Sequence, residues 1–234
     1  MLEVENLVSG YGRTNILHAI SLSVETGERM AILGRNGVGK STLLKSLIGT
    51  VRPKSGSVRL DGQEISHLAA HERARSGIAY VPQGRDIFPT LSVLDNLRVS
   101  GFGRSVRARA SMLDDVLTQF PILRDKRSAQ GSSLSGGQQQ ILALARALMS
   151  DPKVLLLDEP SEGIQPSTVD QIATAIREMN VQRGMTIVLV EQNLEFAAAA
   201  CDHALIIDKG EVVLKLRTAD ALTNRELQHQ YLGV

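Results

Sequence analysis

Apolar residues in this chain follow two rhythms. Solid short runs, Met30-Ala31-Ile32-Leu33, Val154-Leu155-Leu156-Leu157 and Thr186-Ile187-Val188-Leu189-Val190, predict parallel strands buried on both faces. Helical spacing governs other stretches. Thr42 to Ile48 is a good helix former that stops at Gly49, and Met112, Leu113, Val116, Leu117 and Phe120 form a stripe ending at Pro121. Ile141, Leu144, Ala145 and Leu148 share one face of a helix predicted from Gln138 to Ser150. Met1 to Glu5 alternates like a strand, Val58-Arg59-Leu60 runs into a turn at Asp61-Gly62, and Ile206 to Val213 reads as a strand pair turning at Lys209-Gly210. A short helix is expected from about Asn224. Strands and helices alternate over residues 1–90 and from 150 onward, while 91–149 turns helical from a capped start at Ser92-Val93-Leu94-Asp95. The pattern predicts an α/β fold in one nucleotide-binding domain: a lobe made of 1–90 and 150–234, with a helical lobe, 91–149, inserted.

Chemistry enters directly after the first solid run. Gly34-Arg35-Asn36-Gly37-Val38-Gly39-Lys40-Ser41 fits glycine, any four residues, then Gly-Lys-Ser/Thr, in the strand–loop–helix context that a phosphate loop needs. Gly34, Asn36, Gly37 and Gly39 would let backbone N–H groups curl around phosphates at a helix N-terminus. Lys40 would reach the β- and γ-phosphates, the Ser41 hydroxyl would ligate Mg²⁺, and Thr42 is placed to donate to the α-phosphate. The bland alternative is a glycine-rich turn with a solvated lysine.

The second solid run ends in Asp158-Glu159-Pro160, two carboxylates at the carboxyl end of a buried strand, where open α/β sheets bind ligands. Asp158 would hold hydrated Mg²⁺ and Glu159 would orient and polarise an attacking water. Without the phosphate loop, a simple turn closing the strand explains these residues equally well. Between the two segments stands Leu134-Ser135-Gly136-Gly137-Gln138, a glycine pair at a helix start, able to offer N–H groups to an anion or merely to cap the helix.

With these three segments the chain resembles the nucleotide-binding subunit of an ATP-binding-cassette (ABC) transporter, over essentially its whole length. The resemblance implies a phosphate-loop, RecA-like core with a mainly parallel sheet, an antiparallel β subdomain and the inserted helical subdomain. It implies ATP and Mg²⁺ as cofactors and hydrolysis of ATP to ADP and phosphate as the activity. Leu134 to Gln138 looks like the family's signature motif. Two such subunits would pack head to tail, so that Ser135, Gly136, Gly137 and Gln138 close on the ATP of the opposite phosphate loop. Tyr11 occupies the place of an aromatic stacking on adenine, and Gln83 that of a glutamine sensing Mg²⁺ at the start of a membrane-facing segment. Around Phe88, Leu91 and Leu94 that segment would offer an apolar patch to a permease helix, a core role for the three being the alternative. Ser161-Glu162-Gly163-Ile164 stands where a loop crosses the dimer interface. The implied partners are two transmembrane permease subunits, a second ATPase subunit (a paralogue or a second copy) and, indirectly, an external solute-binding protein.

One position departs from the family pattern. Gln192, in Glu191-Gln192-Asn193, takes the place of a histidine that contacts the γ-phosphate; an amide can donate to a phosphate oxygen but carries no proton or positive charge. Gln192 is therefore a catalytic candidate beside Glu159 and Lys40. The phosphate loop, Tyr80-Val81-Pro82-Gln83-Gly84-Arg85 and the run from Asp158 to Ser167 look like the branch serving uptake of branched-chain amino acids, urea and short amides. The arginine in the phosphate loop and the Pro-Gln-Gly-Arg run tilt toward the urea and amide side.

Composition fits. A net charge of +1, from 26 basic and 25 acidic residues, argues against a dedicated nucleic-acid binder, and Arg104, Arg107 and Arg109 read as a solvated helix face. The single cysteine, Cys201, excludes an internal disulfide and reads as a small buried hydrophobe. No apolar stretch approaches the roughly 18 residues needed to span a bilayer, and the N-terminus lacks the layout of a secretion signal. The expectation is a cytoplasmic protein, peripheral to the inner face of the plasma membrane through its permeases. A soluble ABC ATPase doing mechanical work in DNA repair or translation would use the same motifs, but with a second cassette or a long coiled coil. A phosphate-loop GTPase would need an Asn-Lys-x-Asp segment, and the sequence has no Asn-Lys pair.

Overall fold

The computed structural model describes residues 1–101 and 105–233. In chain order it contains β1 (Leu2–Ser9), β2 (Leu17–Val24), β3 (Arg29–Leu33), α1 (Lys40–Ile48), β4 (Ser55–Leu60), β5 (Gln63–Glu64), α2 (Ala70–Arg75) and β6 (Ile78–Val81). Four helices follow, α3 (Val93–Ser100), α4 (Val106–Gln119), α5 (Pro121–Asp125) and α6 (Gly136–Leu148). The remainder is β7 (Val154–Asp158), α7 (Pro166–Arg183), β8 (Thr186–Glu191), α8 (Leu194–Ala200), β9 (His203–Asp208), β10 (Glu211–Arg217), α9 (Thr218–Thr223) and α10 (Arg225–Leu227).

A four-stranded antiparallel sheet has the order β2-β1-β4-β5, and a six-stranded sheet the order β10-β9-β3-β8-β7-β6. In the larger sheet every pairing is parallel except that of the edge strand β10 with β9. The solid apolar runs are its central strands, as their composition predicts. Their period of two divides them between two cores. Ala31, Leu33, Leu155 and Leu157 face the core shared with α3 to α8, whereas Met30, Ile32, Val154 and Leu156 face the core shared with α1 and the antiparallel sheet.

Because β3, β8, β7 and β6 run parallel and in register, their carboxyl ends lie along one edge. Leu33 pairs with Glu191, Asp158 with Val190, and Val81 with Leu157. The loops bearing Lys40, Gln192, Glu159 and Gln83 all leave from that edge.

Local details refine the expectations. The stripe's helix α4 ends just before Pro121, as expected, with Phe120 as its C-cap; Pro121 also opens the short α5 at its first position, where proline's missing N–H has no partner to lose. α6 starts two residues earlier than expected and buries Gln140, Leu142 and Ala143 besides Leu144, Ala145 and Leu148, while Ile141 is half-buried. It packs against α3, α5, α7 and β6, so its covered face is wider than a single stripe. Cys201 is buried, as expected. Arg107 is exposed on α4 and Arg109 half-buried; Arg104 lies outside the described residues.

Candidate active site

β3 delivers the chain to Gly34, where backbone φ is +155° and a Cβ would stand 2.3 Å from the Ile207 carbonyl oxygen of β9. No side chain fits there, and the loop turns back on itself toward α1. α1 begins at Lys40 with no side-chain cap from Gly39, leaving N–H groups of its first turn available to an anion. The Lys40 side chain is 4 % exposed, and its ammonium donates to the carbonyls of Gly34 (2.8 Å) and Arg35 (3.0 Å). Burial lowers its pKa, and the carboxylates of Glu159, Asp158 and Glu191 work against that shift.

A cleft of about 220 Å³ opens above this helix start, lined by Tyr11, Ile16, Asn36, Gly37, Gly39, Lys40, Ser41, Thr42 and Glu159. Sequence-predicted residues from three separate segments thus meet around one hollow. Tyr11 is half exposed at its rim, free to present its ring to a flat ligand.

Two carboxylates close the inner side in different ways. Asp158 is 3 % exposed; Oδ1 accepts a hydrogen bond from the Ser41 hydroxyl and Oδ2 one from the Tyr80 hydroxyl, both at 3.0 Å. Burial, and next the Asp158 charge, push the Tyr80 phenol far above its ordinary pKa, so it stays a donor. Glu159 instead turns outward. Its backbone is left-handed, φ +48°, a conformation costing a non-glycine residue about 1 kcal/mol or more, and the bond from its N–H to the Val190 carbonyl (2.9 Å) helps fix it. That turn sends the two adjacent carboxylates apart. Glu159 Oε1 accepts from the Gln192 amide (2.7 Å) and Oε2 from the Gln83 amide (3.3 Å), with the Lys40 ammonium 3.8 Å from Oε1. Gln83 also donates to Glu162 at 2.8 Å.

Three site residues escaped the sequence reading. Tyr80 sat inside a quoted run with no role. Glu191, 2 % exposed, accepts from the backbone N–H groups of Ser161 (2.9 Å), Gln192 (3.0 Å) and Asn193 (3.2 Å), tying the loop after β7 to the loop after β8. Burial raises its pKa, opposed by those hydrogen bonds. Arg85 bonds the Gln139 side chain (3.0 Å) and the carbonyls of Glu162 (3.3 Å) and Gly163 (3.2 Å), joining three segments. An apolar strand ending in a charged residue was the available signal for Glu191; the other two depend on tertiary neighbours.

Ser135, Gly136, Gly137 and Gln138 are not brought to this cleft within the chain; none of them lines it. Ser135 is the N-cap of α6, accepting from the Gln138 N–H (3.4 Å) while Gln138 Oε1 accepts from the Ser135 N–H (3.2 Å). A Cβ on Gly137 would stand 2.2 Å from Thr168 Cγ2, so only glycine lets α6 approach the start of α7 this closely.

Beside β6 a second hollow of about 440 Å³ is lined by Tyr80, Pro82, Arg85, Ala143, Arg146 and Ala147, among others. Phe88, Leu91 and Leu94 do not line it. Phe88 is exposed with the Arg146 guanidinium 4.6 Å above its ring, and Leu91 and Leu94 are half-buried. Among the described residues no helix is long and apolar enough to cross a membrane.

The sequence model of the family described as ABC transporter matches residues 17–162. The high-affinity branched-chain amino acid transport ATP-binding protein BraG of Pseudomonas aeruginosa is 40 % identical over 233 residues, covering all of both chains. The probable branched-chain amino acid transport ATP-binding protein LivF of Archaeoglobus fulgidus is 34 % identical, covering 100 % of this chain and 99 % of that protein. The lipopolysaccharide export ATP-binding protein LptB of Escherichia coli is also 34 % identical, covering 99 % and 97 %. Among solved structures, cbiO1 of Clostridium perfringens, part of an ABC transporter complex, superposes with a TM-score of 0.85 at 29 % identity over 98 % of this chain and 93 % of that one. A dimeric post-hydrolysis state of the cassette MJ0796 bound to ADP and phosphate gives 0.80 at 25 % identity over 93 % and 99 %.

Proposed function

Because this chain belongs to the ABC transporter family and is the ATP-binding, ATP-hydrolysing subunit of a transporter, we propose that it powers an importer of branched-chain amino acids. The observation that carries the mechanism is the gathering of Lys40, Ser41, Gln83, Asp158, Glu159 and Gln192 along one sheet edge. The solute is inferred from the full-length likeness to BraG and LivF. The arginine-bearing phosphate loop and Pro82-Gln83-Gly84-Arg85 keep urea and short amides as the second reading. LptB, equally alike over the same length, is named for export, so the cassette body alone does not choose the cargo.

The backbone of Gly34 to Gly39 would hold the triphosphate of ATP, with Asn36, Gly37 and Thr42 contributing contacts, Lys40 serving the β- and γ-phosphates and Tyr11 offering its ring to the adenine. Mg²⁺ fits Ser41 and Asp158: a hydroxyl and a carboxylate, hard oxygen donors already 3.0 Å apart. Among the described residues no group of three or more His, Cys, Asp or Glu could cage an ion alone, as suits a cation held chiefly by phosphates, water and one or two protein oxygens. When bound, it would neutralise the charge developing on the phosphates. Glu159 orients and polarises the attacking water, and Gln192 and Gln83 hold that carboxylate in place. Gln192, a neutral amide, adds a donor without a charge.

Ser135, Gly136, Gly137 and Gln138 complete the site of a second subunit in a head-to-tail dimer. The helical lobe, 91–149, swings them into place. Permease subunits dock in the hollow beside Tyr80 and Pro82, which brings this chain to the cytoplasmic face of the membrane.

Glu159→Gln tests the chemistry. It should lower ATP turnover by about 10²- to 10⁴-fold while nucleotide affinity stays within about twofold. Loss of nucleotide binding in parallel with turnover would remove Glu159 from the role of base. Co-purification from native membranes in mild detergent, followed by uptake of labelled leucine or urea in a strain lacking the chain, decides partners and solute. A soluble complex without permeases would sink the importer reading.

A further inference from the structure

We infer that Tyr80 is a positioning residue for Asp158, its phenol fixing the carboxylate that receives the nucleotide's divalent cation. The inference rests on the assignment of Ser41 and Asp158 proposed above and extends it to a residue outside every nucleotide-binding motif in the sequence.

The sheet register makes the contact possible. Tyr80 on β6 pairs with Leu156 on β7, and Leu156 lies two residues before Asp158, on the same face of the strand. A phenol is long enough to reach forward over those two residues; serine or threonine at this position would fall short, and phenylalanine would lack the donor. The hydroxyl meets Asp158 Oδ2 at 3.0 Å, while Oδ1 faces the Ser41 hydroxyl at 3.0 Å. Holding one oxygen stops the carboxylate from rotating about its last bond and leaves the other directed to the cation side. Asp158 is 3 % exposed, so water has little access to replace a lost donor. Partners of this kind, one layer behind the ligand, tune metal affinity strongly.

Tyr80 also lines the hollow beside Pro82 and Arg85. Tyr80 therefore stands in the wall between the proposed permease-docking groove and the cation carboxylate. A shift of β6 against β7 would be felt at Asp158 directly.

The test uses the full chain, a fluorescent ATP analogue, and Mg²⁺ titrations alongside samples in chelator. Tyr80→Phe deletes one oxygen and keeps the ring. The Mg²⁺ concentration giving half of the gain in nucleotide affinity should rise about tenfold, with nucleotide affinity in chelator unchanged, which also establishes that the variant is folded. An unchanged Mg²⁺ midpoint would overturn the inference. So would an equal loss of affinity in chelator. If the wild-type chain shows no Mg²⁺-dependent gain, or Asp158→Asn retains it, the underlying assignment of Ser41 and Asp158 fails and this inference falls with it.

Discussion

Two helix N-termini in this molecule carry glycines and are finished in opposite ways. α1 starts at Lys40 without a side-chain cap, inside a cleft furnished by its own chain, with its loop backbone fixed by the close approach of Gly34 to Ile207. α6 starts beside Ser135, exposed, with two of its end N–H groups answered by the Ser135–Gln138 capping box and no cleft residues around it. The first can receive an anion unaided. The second is partly answered by its own cap and lies outside that cleft. The same signal in sequence, glycine before a helix, therefore has two outcomes, an uncapped start inside a cleft and a capped start outside it.

The sharpest way to break this comparison is Lys40→Ala. Removing a buried ammonium from the α1 site should weaken ATP binding to the dilute chain by about 100-fold or more, since charge-assisted bonds to a desolvated anion are each worth about 1.5–3 kcal/mol. Titration with a fluorescent nucleotide reads the loss, and unaltered affinity would show that α1 does not carry the phosphates.

The opposite end of α1 offers the next effect. Arg73 is 1 % exposed and donates to the carbonyls of Ser46, Leu47, Ser66 and Leu68, two of them in the last turn of that helix. Arg73→Ala strands buried acceptors and should cost about 3 kcal/mol in urea unfolding, with nucleotide affinity of the folded fraction nearly unchanged. A large affinity loss without a stability loss would make the two ends of α1 one functional unit.

Smallest is Ser135→Ala. Loss of the cap should cost about 1 kcal/mol of stability and leave ATP affinity of the dilute chain intact, while turnover at concentrations that favour dimers falls. If affinity of the dilute chain drops as it does for Lys40→Ala, α6 belongs to its own chain's site and the contrast collapses.

Local signals carried far. The solid apolar runs, the helix caps at Ser92 and Ser135, and the Asp61-Gly62 and Lys209-Gly210 turns all stand where residue chemistry places them, because strand burial, capping and turn formation depend on neighbours within a few positions. The misjudged features involve distant partners. The helical stripe stops at Pro121 as read, but the short α5 that follows at once, packed on α6, had no signal of its own. The buried face of α6 exceeds its stripe because α3, α5, α7 and β6 surround it.

By itself the sequence determined which residues can do chemistry: a phosphate loop, a carboxylate pair at a strand end and a glycine pair at a helix start, each defined by spacing over fewer than ten positions. Tertiary structure alone decided how they combine. Parallel pairing of β3, β8, β7 and β6 sets Lys40, Gln192, Glu159 and Gln83 along one edge, from positions up to 152 residues apart. The same pairing brings the Tyr80 hydroxyl to Asp158 and sends Glu159 the other way through a left-handed backbone. Spacing along a chain is local information, whereas a hydrogen bond across a sheet exists only once the strands between have found their order.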